Sequence, residues 1–209
     1  LELGSGEGKL ALQSYLEHGA AGRLSLVLGM ELAPSRHRSA ASALERLAAA
    51  QPETYLLVDK LESGVEACGS NAPVTMSLQR ERDVTSISSA CEPRLELRCG
   101  DFLTQLPAGL WAAADVVLLQ VCLPPAVYKS LFSVLALLKP GAMVLSLLDL
   151  PAAWQSWHEK SPGSACPVEY VGGSAAESVR SLLTSWSSNG HGFFLLHASH
   201  TDGRKDHIR

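Results

Sequence analysis

Alternate glycines near the start of the chain constrain its fold more than any other feature. Gly4, Gly6 and Gly8 lie in a stretch that reads LELGSGEG from Leu1. An apolar, strand-like segment precedes them, and a helical pattern with leucines at positions 10, 12 and 16 follows. Glycines between a strand and a helix are typical of the ligand edge of an open α/β sheet, because they let a ligand approach the backbone. We therefore expect a ligand at this turn.

Strand-like and helix-like segments alternate along most of the chain. This alternation predicts a doubly wound, mostly parallel α/β sheet, formed by all 209 residues as one domain. Residues 51–94 interrupt the alternation, because they are rich in Gly, Ser, Asn and Pro apart from an apolar patch at 55–58, and we interpret most of them as an inserted surface loop. The expected strands are 24–28, 95–99, 114–121, 142–148 and 193–198, and the expected helices are 9–18, 34–51, 126–138 and 176–186, with a turn at 187–190.

The composition excludes several classes of protein. With 46% hydrophobic and 18% charged residues, the chain has enough apolar surface for a large core and too little charge for intrinsic disorder. Its net charge of -4 does not match the basic footprint of a nucleic-acid binder. No apolar run approaches the ~18 residues of a membrane-spanning helix, so we expect no membrane contact. The five cysteines are scattered and never in C-x-x-C spacing, which indicates reduced, intracellular thiols.

Two further acids stand where predicted strands end. Glu31 closes the second strand, at the position where doubly wound folds place an acid that accepts hydrogen bonds from ribose hydroxyls. Asp101 and Phe102 follow the third strand directly. The dinucleotide fingerprint would require a glycine at position 9, which is Lys9 here, and this disfavours a nicotinamide or flavin cofactor. The structural alternatives are a solvated charge or helix cap for Glu31 and a core ring for Phe102.

These residues resemble the motifs of the Rossmann-like methyltransferases that use S-adenosylmethionine. The alternate glycines behind a leading acid resemble motif I of that superfamily, and Gly100-Asp101-Phe102 resembles its adenine-binding motif. Within the superfamily the chain is most similar to the histone-lysine methyltransferases without a SET domain, the disruptor-of-telomeric-silencing family. The resemblance implies a seven-stranded, mostly parallel sheet, and its first strand is expected to be truncated because only three residues precede Gly4. The segments that carry the resemblance are 1–8, 29–31, 97–103, the strand at Asp115, 185–186 and 193–197.

The resemblance also implies a cofactor, a reaction and a partner. The methionine moiety of S-adenosylmethionine would lie against the glycine loop and the ribose at Glu31, while Asp101 would accept the adenine amino group and Phe102 would lie against the base. The acceptor would be a protein lysine, with a histone or nucleosome as partner and the nucleus as location; another acceptor would imply the cytoplasm. No direct nucleic-acid contact is expected of this chain. The implied cofactor-binding residues are Glu2, Gly4, Ser5, Gly6, Gly8, Glu31, Asp101 and Phe102.

One segment departs from that family. After the fourth strand the family carries paired asparagines and an aromatic residue, whereas this chain reads Gln120-Val121-Cys122-Leu123-Pro124-Pro125. Gln120 is the candidate catalytic residue, as a hydrogen-bonding group that orients the acceptor and not as a base. Two alternatives stay open: a methyltransferase for a small molecule or RNA, and, favoured by the proline pair, a partner-binding domain that has lost the transfer site.

The histidines near the C-terminus are not expected to bind a metal. Residues 197 and 200 would point to opposite faces of a strand, and no cysteine or acid completes a ligand set. We interpret these histidines as surface residues and the four tryptophans as core or rim packing. The histidines are His191, His197, His200 and His207, and the tryptophans are Trp111, Trp154, Trp157 and Trp186.

Overall fold

The chain forms α/β structure in two compact units, residues 1–106 and residues 107–209. The computed structural model describes residues 1–19, 21, 23–60, 74–80, 93–158, 165–184 and 187–199. Within those ranges, no helix is long and apolar enough to cross a membrane. The α/β class agrees with the sequence, and the expectation of a single domain stays a prediction.

In the first unit, strands alternate with helices up to residue 50, and two antiparallel strands follow among the described residues. The strands are β1 (Glu2–Leu3), β2 (Leu26–Glu31), β3 (Tyr55–Lys60), β4 (Val74–Arg80) and β5 (Arg94–Cys99). The helices are α1 (Lys9–Ser14), which continues as a π-helical turn over Tyr15–Gly19, α2 (Pro34–Ala50) and α3 (Phe102–Gln105).

These five strands form a mixed sheet in the order β3-β4-β5-β2-β1. β1, β2 and β5 run parallel, with Glu2 opposite Gly29 and Leu28 opposite Glu96. β3 and β4 pair antiparallel with each other, and β4 pairs antiparallel with β5. Because β1, β2 and β5 are parallel neighbours, their carboxyl ends and the loops that follow lie at one edge of the sheet.

Helices α1 and α2 pack against this sheet through one apolar cluster. α2 begins at Pro34, whose missing N–H costs nothing in a first helical turn, and its buried residues Ala40 and Leu44 recur at helical spacing. Burial of each large apolar side chain contributes ~1.5–3 kcal/mol, so the cluster fixes both helices beside the glycine loop. Its buried members are Ala11, Tyr15, Ala40, Leu44, Leu78, Leu95 and Leu97.

The second unit is built around a long strand from the end of the chain. Its strands are β6 (Val116–Leu119), β7 (Met143–Ser146), β8 (Val168–Tyr170), β9 (Val179–Thr184) and β10 (Ser187–Ala198). Its helices are α4 (Ala108–Ala113), α5 (Tyr128–Leu135), α6 (Leu150–His158) and α7 (Ala175–Ser178), with a 3-10 turn over Pro125–Val127. β6 and β7 are parallel, whereas β10 pairs antiparallel with β7, β8 and β9.

The surface-loop interpretation of 51–94 is wrong for β4, whereas the apolar patch at 55–58, which that interpretation set apart, forms most of β3. An apolar patch begins at Tyr55, and apolar residues alternate with polar ones at Val74, Met76 and Leu78, which is the period of a strand. The two segments hydrogen-bond to each other, and β4 also bonds to β5, so tertiary pairing overrides a composition that favours loops. Residues 61–73 and 81–92 of the same region lie outside the described residues.

The predicted helix at 176–186 is wrong beyond its first turn. The Ser174 hydroxyl caps α7 by accepting a hydrogen bond from the Glu177 N–H at 3.4 Å, but the helix ends at Ser178 and β9 follows. β9 pairs with β10, which begins at Ser187, so the predicted turn at 187–190 is wrong as well. A strand partner from distant sequence overrides helix propensity here. Ten strands occur in the described ranges, where the resemblance implies seven.

Candidate functional site

The predicted cofactor-binding residues all belong to the first unit, at the carboxyl ends of three parallel strands. Glu2 lies in β1, the glycine loop spans residues 4–8, Glu31 ends β2, and Asp101 and Phe102 follow β5. Because β1, β2 and β5 are neighbours, the structure brings these side chains to the same edge of the sheet. Open α/β sheets bind their ligands at this edge.

Backbone hydrogen bonds fold the glycine loop over the end of β2. The N–H groups of Gly4 and Ser5 both donate to the Met30 carbonyl oxygen, at 2.8 and 3.0 Å. The Gly8 N–H then donates to the Ser5 carbonyl oxygen at 2.8 Å and closes the turn into α1. All three alternate glycines are left-handed, with φ values of 78, 57 and 70°. The loop therefore depends on glycine, since other residues adopt this conformation at a cost.

Two of these glycines face different surroundings. A Cβ atom at Gly8 would lie 3.1 Å from Leu97 Cδ1 and 3.2 Å from Ala40 Cβ, so Gly8 allows the loop to pack on the core. A Cβ atom at Gly6 would have no atom within 4 Å. The backbone at Gly6 is therefore open to the approach of a ligand.

The Glu31 carboxylate ties the glycine loop to the start of α2. It is 4% exposed, and its Oε2 accepts the Gly6 N–H while its Oε1 accepts the Ala33 N–H, each at 2.8 Å. The Glu31 carbonyl oxygen also accepts the N–H of Gly100 at 2.9 Å. Arg36 lies further out, with its Nη1 at 4.0 Å from Oε2. The sequence predicts an acid here but not its bond to Gly6, since the two residues are distant in the chain.

Glu2 is a buried acid beneath the same loop. Burial raises the pKa of its carboxyl from 4.5 to about 7, a hydrogen bond from the Ala11 backbone opposes that rise, and the charge of Glu31 adds to it. Near neutral pH the carboxyl is thus divided between its protonated and ionised forms. In one form it donates a hydrogen bond and in the other it only accepts.

Asp101 and Phe102 differ in what they offer to a ligand. Asp101 caps α3, because its Oδ1 accepts the Leu103 N–H at 2.9 Å. Among the described residues no group bonds its Oδ2, so this oxygen can accept a hydrogen bond from a ligand. Phe102 is 7% exposed, so its ring packs within the protein. A contact between this ring and a base stays a prediction.

Two residues that the sequence did not single out surround Glu31. His37 on α2 is buried, and burial lowers its pKa more than the charge of Glu31 raises it. Burial and the Glu31 charge raise the pKa of the Cys99 thiol, against a smaller opposing effect of Arg38. Both pKa shifts favour the neutral forms of the His37 ring and the Cys99 thiol. In the sequence, the only sign of such a buried neighbour is a histidine within a helix rich in alanine and serine.

A polar groove of about 580 Å³ runs beside the glycine loop along α2. Much of its lining is paired internally: Lys9 Nζ lies 3.1 Å from Glu7 Oε2, and Arg46 Nη1 donates to Ser42 Oγ at 2.9 Å. We interpret it as a solvated surface. The lining residues are Glu7, Lys9, Ser35, Arg38, Ser39, Ser42, Ala43 and Arg46.

Gln120 belongs to the second unit, directly after β6, and is half-buried. The segment that follows is largely exposed and contains Pro124, after which the 3-10 turn Pro125–Val127 leads into α5. No pair of side-chain amides occurs in this segment. The role of Gln120 as an orienting residue stays a prediction.

The histidines and tryptophans add no second centre of chemistry in the described part of the chain. There, no group of three His, Cys, Asp or Glu residues could hold a metal ion. His200, His207 and Trp186 lie outside the described residues, as does the His191 side chain. Trp111 is fully buried, and the half-buried Trp154 and Trp157 pack against Phe132 with ring centroids at 4.8 and 5.8 Å.

No family model and no curated protein matches this chain. The resemblance to a methyltransferase family therefore rests on the residues themselves, and above all on the first unit. The structure brings the glycine loop, Glu31 and Asp101 to one sheet edge, and the family of the chain stays a prediction.

Proposed function

We propose that the first unit binds S-adenosylmethionine and that the chain transfers the methyl group to a protein lysine, with histone lysines as the first acceptors to test. One observation carries the proposal. Glu31, at the end of β2, holds the backbone of the glycine loop through Gly6, while Asp101, after the neighbouring strand, presents a carboxylate oxygen that no described residue bonds. We also propose that the sheet is that of a Rossmann-like methyltransferase.

The residues present suit the cofactor. Open space at Gly6 leaves room for its methionine moiety, and each Glu31 oxygen retains a lone pair beyond the bonds described above, which suits two ribose hydroxyls. Oδ2 of Asp101 can accept the adenine amino group. The bound cofactor would supply an electrophilic methyl group on its sulfonium.

The protein's part in such a transfer is to position the acceptor and exclude water. A lysine attacks only as the neutral amine, and its pKa of ~10.4 falls when the amine is desolvated. Gln120 would orient that amine through a hydrogen bond. No general base is required if the proton leaves to solvent before attack.

The segment after β6 favours a second candidate, a methyltransferase with a small-molecule or RNA acceptor. Gln120 could replace one amide of the resembling family, but the second amide and the aromatic wall are missing from this segment, where Pro124 and Pro125 are exposed. A prolyl pair donates no hydrogen bonds to a lysine amine. The same pair also suits a partner-binding domain without transfer activity.

Transfer of radiolabelled methyl groups tests the acceptor. We would incubate the chain and its Gln120→Ala variant with labelled S-adenosylmethionine and, separately, histone octamers, nucleosomes, total RNA and a small-molecule mixture. We expect the native chain to label histones and the Gln120→Ala variant to label them at least tenfold more slowly. Label found in RNA or in a small molecule would identify that class of molecule as the acceptor instead of a histone. Binding of the cofactor without label in any fraction would favour a partner-binding domain that transfers no methyl group.

A further inference from the structure

Gln105, the last residue of α3, hydrogen-bonds to both backbone polar groups of Asp101. Its Oε1 accepts the Asp101 N–H at 2.9 Å, and its own backbone N–H donates to the Asp101 carbonyl oxygen at 2.9 Å. Leu103 N–H holds Oδ1 of the same aspartate. Three of the four polar groups of Asp101 are therefore fixed, and only Oδ2 is unbonded among the described residues.

Gly100 provides the space that the Gln105 side chain occupies. A Cβ atom at Gly100 would lie 1.8 Å from Gln105 Oε1 and 2.9 Å from its Cδ, and the backbone there has a φ of 156°. The glutamine amide thus fills the place of a side chain at position 100. A glutamine at the end of a four-residue helix would ordinarily extend into solvent, whereas this one is half-buried against the backbone of the site.

We propose that Gln105 is a positioning residue that aims Oδ2 of Asp101 at the exocyclic amino group of the ligand's adenine. This inference rests on the proposed cofactor. A carboxylate held in place before binding loses little conformational freedom when the ligand arrives, so its hydrogen bond contributes more to affinity. Gln105 itself touches Asp101 and not the ligand in this account.

A purely structural role predicts a different result. If Gln105 only stabilised the loop, its replacement would weaken all ligands of the site by the same factor. If it aims Oδ2, its replacement weakens only ligands that carry the amino group. The ratio of two affinities separates these roles, because a general loss of folded protein cancels in the ratio.

The test is calorimetric titration of the full chain with S-adenosylhomocysteine and with its analogue that has hydrogen in place of the 6-amino group. Gln105→Met keeps the side-chain length without an acceptor, and Gln105→Asn keeps the amide but is too short to reach. Gln13→Met, on the exposed side of α1, is the matched control. We expect the native chain and the control to prefer the amino ligand at least about tenfold, as for one hydrogen bond to a charged group. Both Gln105 variants should reduce the preference to about threefold or less.

Unchanged preference in both Gln105 variants would overturn the inference and leave a structural role. Native protein that binds both ligands equally would also overturn it while leaving the proposed cofactor intact. If the native protein binds neither ligand, the proposed cofactor is wrong, and the inference fails with it.

Discussion

Glu31 is the last residue of a parallel strand in the first unit and Asp149 lies just after one in the second unit, but the two acids are bonded differently. Among the described residues, the Glu31 carboxylate accepts hydrogen bonds from the backbone N–H groups of Gly6, in the glycine loop, and Ala33. Asp149 accepts the Tyr170 hydroxyl at 2.5 Å and the Ala152 N–H on the same Oδ1 atom. Burial and this hydrogen bond raise the pKa of the Tyr170 hydroxyl, so the phenol stays protonated and keeps donating.

The comparison shows that an acid at the end of a strand indicates a ligand site only when one of its oxygens can still accept a hydrogen bond at an open edge of the sheet. Glu31 organises a backbone that a ligand can approach, whereas Asp149 caps α6 and anchors β8 through Tyr170. Each variant of a candidate-site residue is therefore compared with a variant at another residue of similar chemistry that has a different role.

The largest difference is expected between Glu31→Ala and Asp149→Ala. Loss of the Glu31 carboxylate leaves the backbone N–H groups of Gly6 and Ala33 without their acceptor, which should cost about 3 kcal/mol of unfolding free energy. It also removes the acceptor proposed for the ribose hydroxyls, which should lower cofactor affinity about 100-fold. Asp149→Ala should cost about 1–3 kcal/mol of unfolding free energy and leave the affinity within twofold. Urea unfolding and calorimetry measure the two quantities. Equal affinity loss in the two variants would erase the distinction.

The pH dependence of stability should separate Glu2 from an exposed acid of the same region. Its carboxyl has a pKa of about 7 in the folded chain against 4.5 ordinarily, so between these values the folded state holds a proton that the unfolded state has released. The free energy of unfolding therefore falls by about 3 kcal/mol as pH rises from 4.5 to 7.

Glu2→Gln should remove that fall, whereas Glu7→Gln, at an exposed position, should retain it. Urea unfolding of the native chain and both variants at pH 4.5, 5.5, 6.5 and 7.5 measures the slope. An identical slope in the native chain and Glu2→Gln would show that Glu2 is not the titrating group.

A smaller contrast is expected within the glycine loop. Gly8→Ala combines a left-handed φ with contacts of 3.1 and 3.2 Å to Leu97 and Ala40, and should destabilise the chain by about 2–3 kcal/mol. Gly6→Ala carries only the backbone cost, about 1 kcal/mol, but places a methyl group in the open space and should lower cofactor affinity about tenfold. Thermal unfolding and calorimetry distinguish them. The reverse order of stabilities would mean that the loop packs differently.

Local patterns in the sequence were sufficient to locate the candidate site. A glycine loop after β1, an acid at the end of β2 and an aspartate after β5 are each visible within a few residues, and parallel pairing then brings them to one edge. The bond from Gly6 to Glu31 and the fit of Gln105 over Gly100 were not visible. The first joins residues far apart in sequence, and the second depends on one glutamine rotamer.

The errors in the predicted fold have the same cause, which is the dependence on residues far apart in sequence. β4 and β9 are stabilised by strand partners that no window of a few residues contains. The sequence on either side of them is rich in Gly, Ser, Ala and Glu, which favours loops or helices when considered alone. The strands with continuous apolar runs, such as β2, β6 and β7, need no such partner to be recognised.

Calorimetric titration of S-adenosylmethionine into the chain tests the central claim most directly, with Asp101→Asn beside Asp115→Asn, an exposed aspartate of the second unit. Asparagine can still accept from the Leu103 N–H, so the cap of α3 survives while the charge is lost. The account predicts binding by the native chain and by Asp115→Asn, and at least about tenfold weaker binding by Asp101→Asn. Folded native protein that releases no heat of binding, or an Asp101 variant that binds as tightly as the native chain, would contradict it.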